Sequence, residues 1–588
     1  MPAPDPVRLT LVQNRLDHIS RQMGRVMTRT ARSPIFSQSH DFSCFLGNAD
    51  GVLISQADGI PIHTGGGGLA LRTLIAAFGD AIDDEDVFLL NDPYVAGGNH
   101  LPDWVIARPV FHEGERIAFA CNRAHQSDIG GGAAGTYNPL ATEIFHEGLR
   151  IPPLKLVEAG VMRQDVWNLL LLNSRTPDLL DGDLRAMLGS TRIGMERLQA
   201  LVGDAGRDDA LACFEGILDH GDRMLRTCID SLPDGTWRGG DATDNDCFED
   251  RRTEIEVALI VRGDRITVDF SGCGPQIRGF KNSSIANTMS ATYMALGSFF
   301  PVDLPRNEGT FRSVHLVMPE GSIVNPRPPA PMTMNTVFIA HHIVHAIWRA
   351  LGKARPDLAC AGWGRSVHPI AAGHDHARDR DFIMYHWHAM PGGGAVEGRD
   401  GFEQIGHLIS LGGLTIPNLE DYEQLYPIRY IRHELRRDGG GPGIWRGGCG
   451  VDYLVDVEDS STFHFRSEGL GRPSGHGAAG GEDGAGGAMT VTERHGRQHL
   501  PAAYGSHAYG PCTYHALSPG GGGWGDPFRR PALDVAHDVR DGLVSIEAAR
   551  QAYGVVLNSD GTVDRPATDA LRNGAAVRPE SAPPPRPQ

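Results

Sequence analysis

Lysine is nearly missing: 588 residues hold only Lys155, Lys281 and Lys353. None stands in the G-x-x-x-x-G-K-[ST] pattern that cradles nucleotide phosphates. Before Lys353, Ile347 takes the place of the first glycine, and Ala354 that of the hydroxyl residue. A Walker-type ATP site is excluded. No G-x-S-x-G elbow is present, and no G-x-G-x-x-G stands between a strand and a helix, so hydrolase and dinucleotide signatures are missing too. Cysteine is sparse: nine are scattered, with no C-x-x-C spacing. An odd, dispersed set predicts reduced thiols and a cytoplasmic location. No stretch approaches 18 apolar residues, so no membrane span is expected. Arg15, Asp17, Arg21 and Arg25 interrupt Leu9–Met27, which removes a secretory signal core. Positive charge is short as well. Fifty-four basic residues against 72 acidic ones give a net charge of −18, which argues against nucleic-acid or anionic-membrane partners.

What is present is ordinary for a folded protein, with 40% hydrophobic and 21% charged residues. Length alone suggests about four domain-sized units. Leu9, Val12, Leu16, Ile19, Met23 and Val26 step by three and four, which predicts an amphipathic helix over 7–31 that ends before Pro34. Hairpins are predicted from Phe42 to Ser55, turning at Asn48–Gly51, and over 105–122, turning at His112–Gly114. Helical patterns fall at 69–78, 162–202, 208–231 and 332–352, and strands at 251–273. Residues 353–450 are loop-rich. The stretch DYLVDVEDSSTFHFRSEG reads as one more hairpin, and SIEAARQAYG as a short helix. The glycine runs 65–68, 130–132 and 520–523 suit tight turns, mobile loops, or backbone packed against a ligand or partner. Together these predict an α+β fold with mixed, largely antiparallel sheets. The expected parts are 1–240, 241–435, a Gly-rich and mainly β part at 436–575, and a disordered tail at 576–588.

The densest polar cluster lies between 91 and 128, in NDPYVAGGNHLPD and CNRAHQSDIGGG. His100 and Asp103 are three apart, and His125 and Asp128 repeat the spacing after an intervening hairpin. Two neighbouring strand ends can bring the pairs together. Imidazole and carboxylate donors without cysteine suit Zn, Mn or Fe ions at a site open to water. Such an ion lowers the pKa of water and polarises a carbonyl. The same residues equally suit a network of structural turns. Asp41 alone carries a weak signal. His341 and His345 share a helix face but lack the glutamate of H-E-x-x-H. The histidines of 373–381 and 385–390 line a pocket or lie in solvent, and Asp244, Asp246, Glu249 and Asp250 read as a solvated loop.

The chain resembles the hydantoinase B family through DFSCFLGNADGVLISQADGIPIHTG (41–65), FLLNDPYVAGGNHLPD (88–103) and the stretch around AHQSDIGG (124–131). The likeness continues through VDFSGCGPQIRGFKN (268–282), PNLEDYEQLYPIRY (417–430), GGGPGIWRGGCG (439–450), PGGGGWGDP (519–527) and DVRDGLVSIEAARQAYGVVL (538–557). These are HyuB-type subunits of ATP-dependent N-methylhydantoinases, 5-oxoprolinases and caprolactamase, with related subunits in acetone and acetophenone carboxylases. Nearly the whole chain takes part.

The resemblance implies a multi-subdomain hydantoinase B-type fold and a two-part enzyme. A hydantoinase A-type partner holds ATP and Mg and phosphorylates the amide or carbonyl oxygen. The B-type subunit holds a divalent transition metal, Zn or Mn, where the activated cyclic amide opens. Carried over by position, the metal ligands are Asp41, His100, Asp103 and His125. Asp92 and Asp128 then orient the histidine rings or act as the base. His40 stands where many members carry a charged residue. The expected assembly is α₂β₂ or larger, with subunit contact at the Gly-rich blocks 439–450 and 519–525. A ketone carboxylase subunit and a non-catalytic assembly subunit are the alternative readings.

Overall fold

The computed structural model describes residues 5–63 and 65–575; the tail expected to be disordered lies outside the described residues. Helix α1 (Pro6–Thr30) forms where the apolar stripe predicts it, and buries Val12, Leu16, Ile19, Met23 and Met27. Seven strands follow in the first part of the chain: β1 (Phe42–Asn48), β2 (Leu53–Gly59), β3 (Val87–Leu90), β4 (Asp103–His112), β5 (Glu115–His125), β6 (Leu154–Glu158) and β7 (Val161–Met162). They make one sheet, in the order β2-β1-β5-β4-β3-β6-β7, with every pairing antiparallel. Both predicted hairpins are here.

Strand alternation sends Phe45, Phe88, Val105 and Phe119 to one face, under helix α2 (Gly67–Phe78). Leu46, Leu89, Ile106 and Ala120 go to the other face, with α1. The helical pattern at 162–202 splits into α3 (Gln164–Leu172) and α4 (Pro177–Ala205). Pro177 lacks an amide hydrogen, so it suits only a first helical turn. Helix α5 (Arg207–Asp230) follows.

A four-stranded sheet holds β8 (Gly235–Ala242), β9 (Glu254–Arg262), β10 (Arg265–Asp269) and β11 (Val314–Val317), in the order β11-β10-β9-β8. Its β10–β11 pair is parallel, and helix α6 (Ile285–Phe299) lies in the connection. The helix predicted over 332–352 is α7 (Ala340–Ala354), entered through a π-turn at Asn335–Ile339.

Nine further strands complete the fold: β12 (Ile370–Asp375), β13 (Arg380–Tyr385), β14 (Ile428–Leu435), β15 (Val451–Val457), β16 (Ser461–Arg466), β17 (Ala488–Glu493), β18 (Gln498–His499), β19 (Tyr504–Tyr509) and β20 (Cys512–Leu517). Here one expectation is corrected. DYLVDVEDSSTFHFRSEG is not a hairpin: β15 joins the sheet β14-β15-β20-β17-β18, whereas β16 joins β13-β12-β16-β19. The short link 458–460 carries the chain from one sheet to the other. Local alternation is the same for a hairpin and for such a crossing, so the strands were legible and their partners were not.

The C-terminal glycine blocks pack on one another, backbone to backbone and buried. Gly521 donates to Gly448 at 2.9 Å, and Gly441 donates to Gly521 at 2.8 Å. A Cβ on Gly520 would stand 1.7 Å from the Gly439 oxygen. Only side-chain-free backbone approaches so closely. These glycines are consumed inside the chain.

The architecture is mixed α+β with mostly antiparallel sheets. One hydrophobic cluster runs from Val12 to Ala516 and crosses the expected boundaries at 240 and 435. Among the described residues no helix is long and apolar enough to cross a membrane.

Candidate metal centre

Three central strands of the first sheet end at the same place. Asp103 opens β4 and His125 closes β5, and the two are register partners. Asp41 directly precedes β1, and its carbonyl accepts the His125 amide at 3.1 Å. His100 sits in the turn leading into β4, where residues three apart face one point. The two H-x-x-D pairs therefore meet only in part: the structure joins His100, Asp103 and His125, and points Asp41 into the same cavity.

The contacts are close. His100 Nε2 lies 2.7 Å and His125 Nδ1 3.1 Å from Asp103 Oδ1. The two imidazole centroids are 5.2 Å apart. His63, unforeseen as a site residue, places Nε2 3.5 Å from both Asp41 Oδ1 and Asp103 Oδ2. It follows β2 in a 3-10 turn, and its carbonyl accepts the buried Arg123 guanidinium. Its only sequence signal is a lone histidine before a glycine run.

The outer contacts orient the cluster. His100 Nδ1 faces the Thr333 carbonyl at 2.6 Å. Donation there fixes the ring, and with the imidazole protonated Nε2 donates to Asp103. The Thr333 and Met332 amides in turn donate to the buried Glu147 carboxylate at 2.7 and 2.9 Å. His125 Nε2 lies 3.4 Å from the Tyr385 hydroxyl, which donates to the Gly135 carbonyl.

Burial dominates the electrostatics. It pushes the Asp41 carboxyl up to about 6 and the His63 imidazole down to about 4. Burial also opposes the charge on Asp103, yet His100 and His63 hold its pKa well below the usual range. Burial likewise opposes protonation of His100, and Asp103 overcomes it.

The remaining walls come from distant segments: Tyr137, Val337, Trp387, His407, Ile409, Leu414 and Arg466. The cavity they leave is about 20 Å³, room for about one water.

Two expected partners lie elsewhere. Asp92 caps the Tyr94 and Val95 amides and pairs with Arg150 at 2.5 Å. Asp128 accepts the Gly130 and Gly135 amides and pairs with Arg175 at 3.1 Å. Neither touches a ring of the cluster, so the expectation that they orient the histidines is corrected: both carboxylates are used up by turn amides and an arginine. His40 points to the outer surface groove of Arg25, Arg29 and Arg306, with Nδ1 3.1 Å from Thr415 Oγ1.

The other candidates divide. Tyr385 and Trp387 reach the centre, with only Trp387 on its cavity wall, whereas His374 is exposed beside Asp381. His386 packs in the core against Tyr453. Asp244 and Asp246 are not solvated, because they accept the Gly469 amide and the Phe248 and Glu249 amides. His341 and His345 face each other at 3.2 Å in a separate buried network.

The donor set fits a divalent ion. Two imidazoles and one carboxylate converge without cysteine, Asp41 lines the same cavity, and Asp103 Oδ2 is buried with no hydrogen-bond partner among the described residues.

Comparison with known proteins agrees with this architecture. A family model described as Hydantoinase B/oxoprolinase matches residues 5–527. Caprolactamase subunit beta of Pseudomonas jessenii is 35% identical, over 97% of this chain and 99% of that protein. The crystal structure of ATP-dependent caprolactamase from the same organism superposes with a TM-score of 0.90 at 34% identity, covering 97% of this chain and 99% of that one. An acetone carboxylase structure also gives a TM-score of 0.90, at 21% identity, over 97% of this chain and 83% of that one. That likeness is one of fold.

Proposed function

The chain belongs to the hydantoinase B/oxoprolinase family, and from that premise we propose that it is the metal-holding subunit of an ATP-dependent cyclic amidohydrolase. Its substrate is a lactam or cyclic imide, activated by phosphorylation on a hydantoinase A-type partner. The observation that carries the reading is the convergence of His100, Asp103 and His125, with Asp41 beside them, at one end of a rigid sheet. The absence of a Walker motif from the sequence leaves ATP to the partner.

Asp41, His100, Asp103 and His125 would hold the ion. When bound, it supplies Lewis acidity toward a carbonyl oxygen and a lowered pKa for water. The chain's own residues do the rest. Thr333 and Glu147 fix the His100 tautomer, and His63 spaces the two carboxylates. Burial pushes the Asp41 carboxyl up to about 6, so it holds a proton more readily than an ordinary carboxylate, and binding of the ion would release that proton. Phosphorylation removes the nitrogen donation that deactivates an unstrained amide, so the pocket needs to attack only an activated carbon. The cavity of about 20 Å³ is smaller than any cyclic amide, so a substrate ring requires a wider opening.

The test uses the chain purified with its partner. ADP release and ring-opened product are followed with 5-oxoproline, hydantoins and lactams, with and without chelator, alongside elemental analysis. The expected result is about one transition metal per chain and chelator-sensitive ring opening. A metal-free complex that opens the ring at full rate refutes the proposal. Labelled bicarbonate appearing in a ketone-derived acid would instead mark a carboxylase.

A further inference from the structure

Five arginines are buried among the described residues: Arg123, Arg365, Arg446, Arg466 and Arg530. Arg365 pairs with Asp241, Arg446 with Glu403, and Arg530 with Asp400 and Asp538. Arg123 donates to the His63 and Gly97 carbonyls and to Asn99. Arg466 differs. It closes β16 at 3% exposure and lines the same cavity as the metal cluster.

No carboxylate pairs with it directly, although Asp41 on the same cavity wall feels its charge. One Nη donates to the Met334 sulfur at 3.4 Å and the other lies 3.2 Å from His368 Nε2. The guanidinium carbon stands 3.8 Å from the Tyr137 ring centroid and 5.5 Å from that of Tyr385. Its Nε has no hydrogen-bond partner, and no described carboxylate lies within ion-pair distance. Burial, reinforced by Arg466, holds His368 and His407 far below ordinary imidazoles, so both stay neutral.

A buried cation without a counter-ion is costly. The aromatic faces offset part of that cost, and an arriving anion would offset the rest. We propose that Arg466 is the anion subsite of this pocket and receives the phosphoryl oxygens of the activated substrate beside the metal cluster. This rests on the reading that the substrate arrives phosphorylated. The fork of N–H donors matches phosphate geometry, and in a dry cavity the attraction is little screened. Trp387 and His407, with buried unpartnered ring nitrogens, flank the same space.

The experiment compares wild type with Arg466→Met and Arg466→Lys in the full complex. Metal content, inorganic-phosphate affinity by calorimetry on the metal-loaded chain, ADP release and ring-opened product are read on the same samples. Arg466→Met is expected to keep its metal, lose at least tenfold in phosphate affinity and a hundredfold in ring opening, and continue to release ADP, so that ATP use becomes uncoupled. Arg466→Lys restores part of both losses. Wild-type phosphate affinity and coupling in Arg466→Met overturn the assignment. Absence of metal from wild type would instead defeat the metal reading, and phosphate affinity would still judge Arg466. Should Arg466→Met fail to fold, Arg466→Lys decides alone: phosphate affinity equal to wild type with coupling unchanged counts against a site built for the guanidinium fork.

Discussion

Two buried polar clusters in this chain use the same residue types and end in different states. The two carboxylates of the network beneath α7 are fully paired. Glu468 takes Lys281 at 2.6 Å and His342 at 2.8 Å, and Asp241 takes Arg365 at 2.9 Å and His342 at 3.0 Å. Each carboxylate faces a permanent cation. The cluster at the end of β1, β4 and β5 is not saturated. Asp103 meets only imidazoles, one of its oxygens is unpartnered, and the nearby guanidinium of Arg466 touches no carboxylate. Burial is equal in the two, so it does not tell a scaffold from a site. The pairing of charge with opposite charge does.

Variants can break or sharpen that contrast. The largest effect is expected from His100→Ala. Bound metal should fall to a trace and ring opening by more than roughly a hundredfold, the upper range for residues that only support a ligand, while the fold persists. Elemental analysis and product assay check both halves. Glu468→Ala should do the reverse. It strands Lys281 without a counter-charge, leaves His342 to Asp241 alone, and costs about 3–5 kcal/mol of stability, read as a lowered denaturation midpoint, while chain that remains folded keeps its metal. Loss of metal with unchanged stability in that variant would erase the distinction.

Smaller effects test the two displaced acids. Asp92→Asn and Asp128→Asn should each cost about 1–3 kcal/mol, because buried turn amides and an arginine lose a charged acceptor. Metal content should stay stoichiometric. The smallest effect is a pH dependence of the chelator-treated chain. Burial raises the Glu147 carboxyl from 4.5 to about 7. The folded state therefore holds that proton more tightly than the unfolded one. The stabilisation is fully present below about 4.5 and is lost as pH rises through about 7. Wild type should lose stability relative to Glu147→Gln as pH rises from about 4.5 to about 7, while buried histidines of lowered pKa, such as His63, act in the opposite direction in both proteins.

Much of the site was legible because its donors are close in sequence to predictable turns. Asp103 and His125 bracket a hairpin whose alternation and turn are plain, so pairing them needed only local information. His63 and Arg466 were not legible. Each is a single residue at the end of a strand, and their relevance comes from segments 60 to more than 300 residues away. The same holds for whole elements. α1 showed its stripe because one face meets water, whereas α6, IANTMSATYMALGSF, is buried on most sides and carries no such period. The strands of 452–469 were visible, but not that they part into two sheets.

By itself, the sequence determined the absence of a Walker motif, the α+β class, the chief hairpins and the imidazole–carboxylate chemistry. These depend on residue identity and on periods of two to four residues. Only the tertiary structure decided which polar groups are satisfied: Asp128 by an arginine, Glu468 by a lysine, Asp103 and Arg466 by nothing equivalent. The physical reason is that saturation belongs to a volume filled from several segments, and no local pattern records what the others bring.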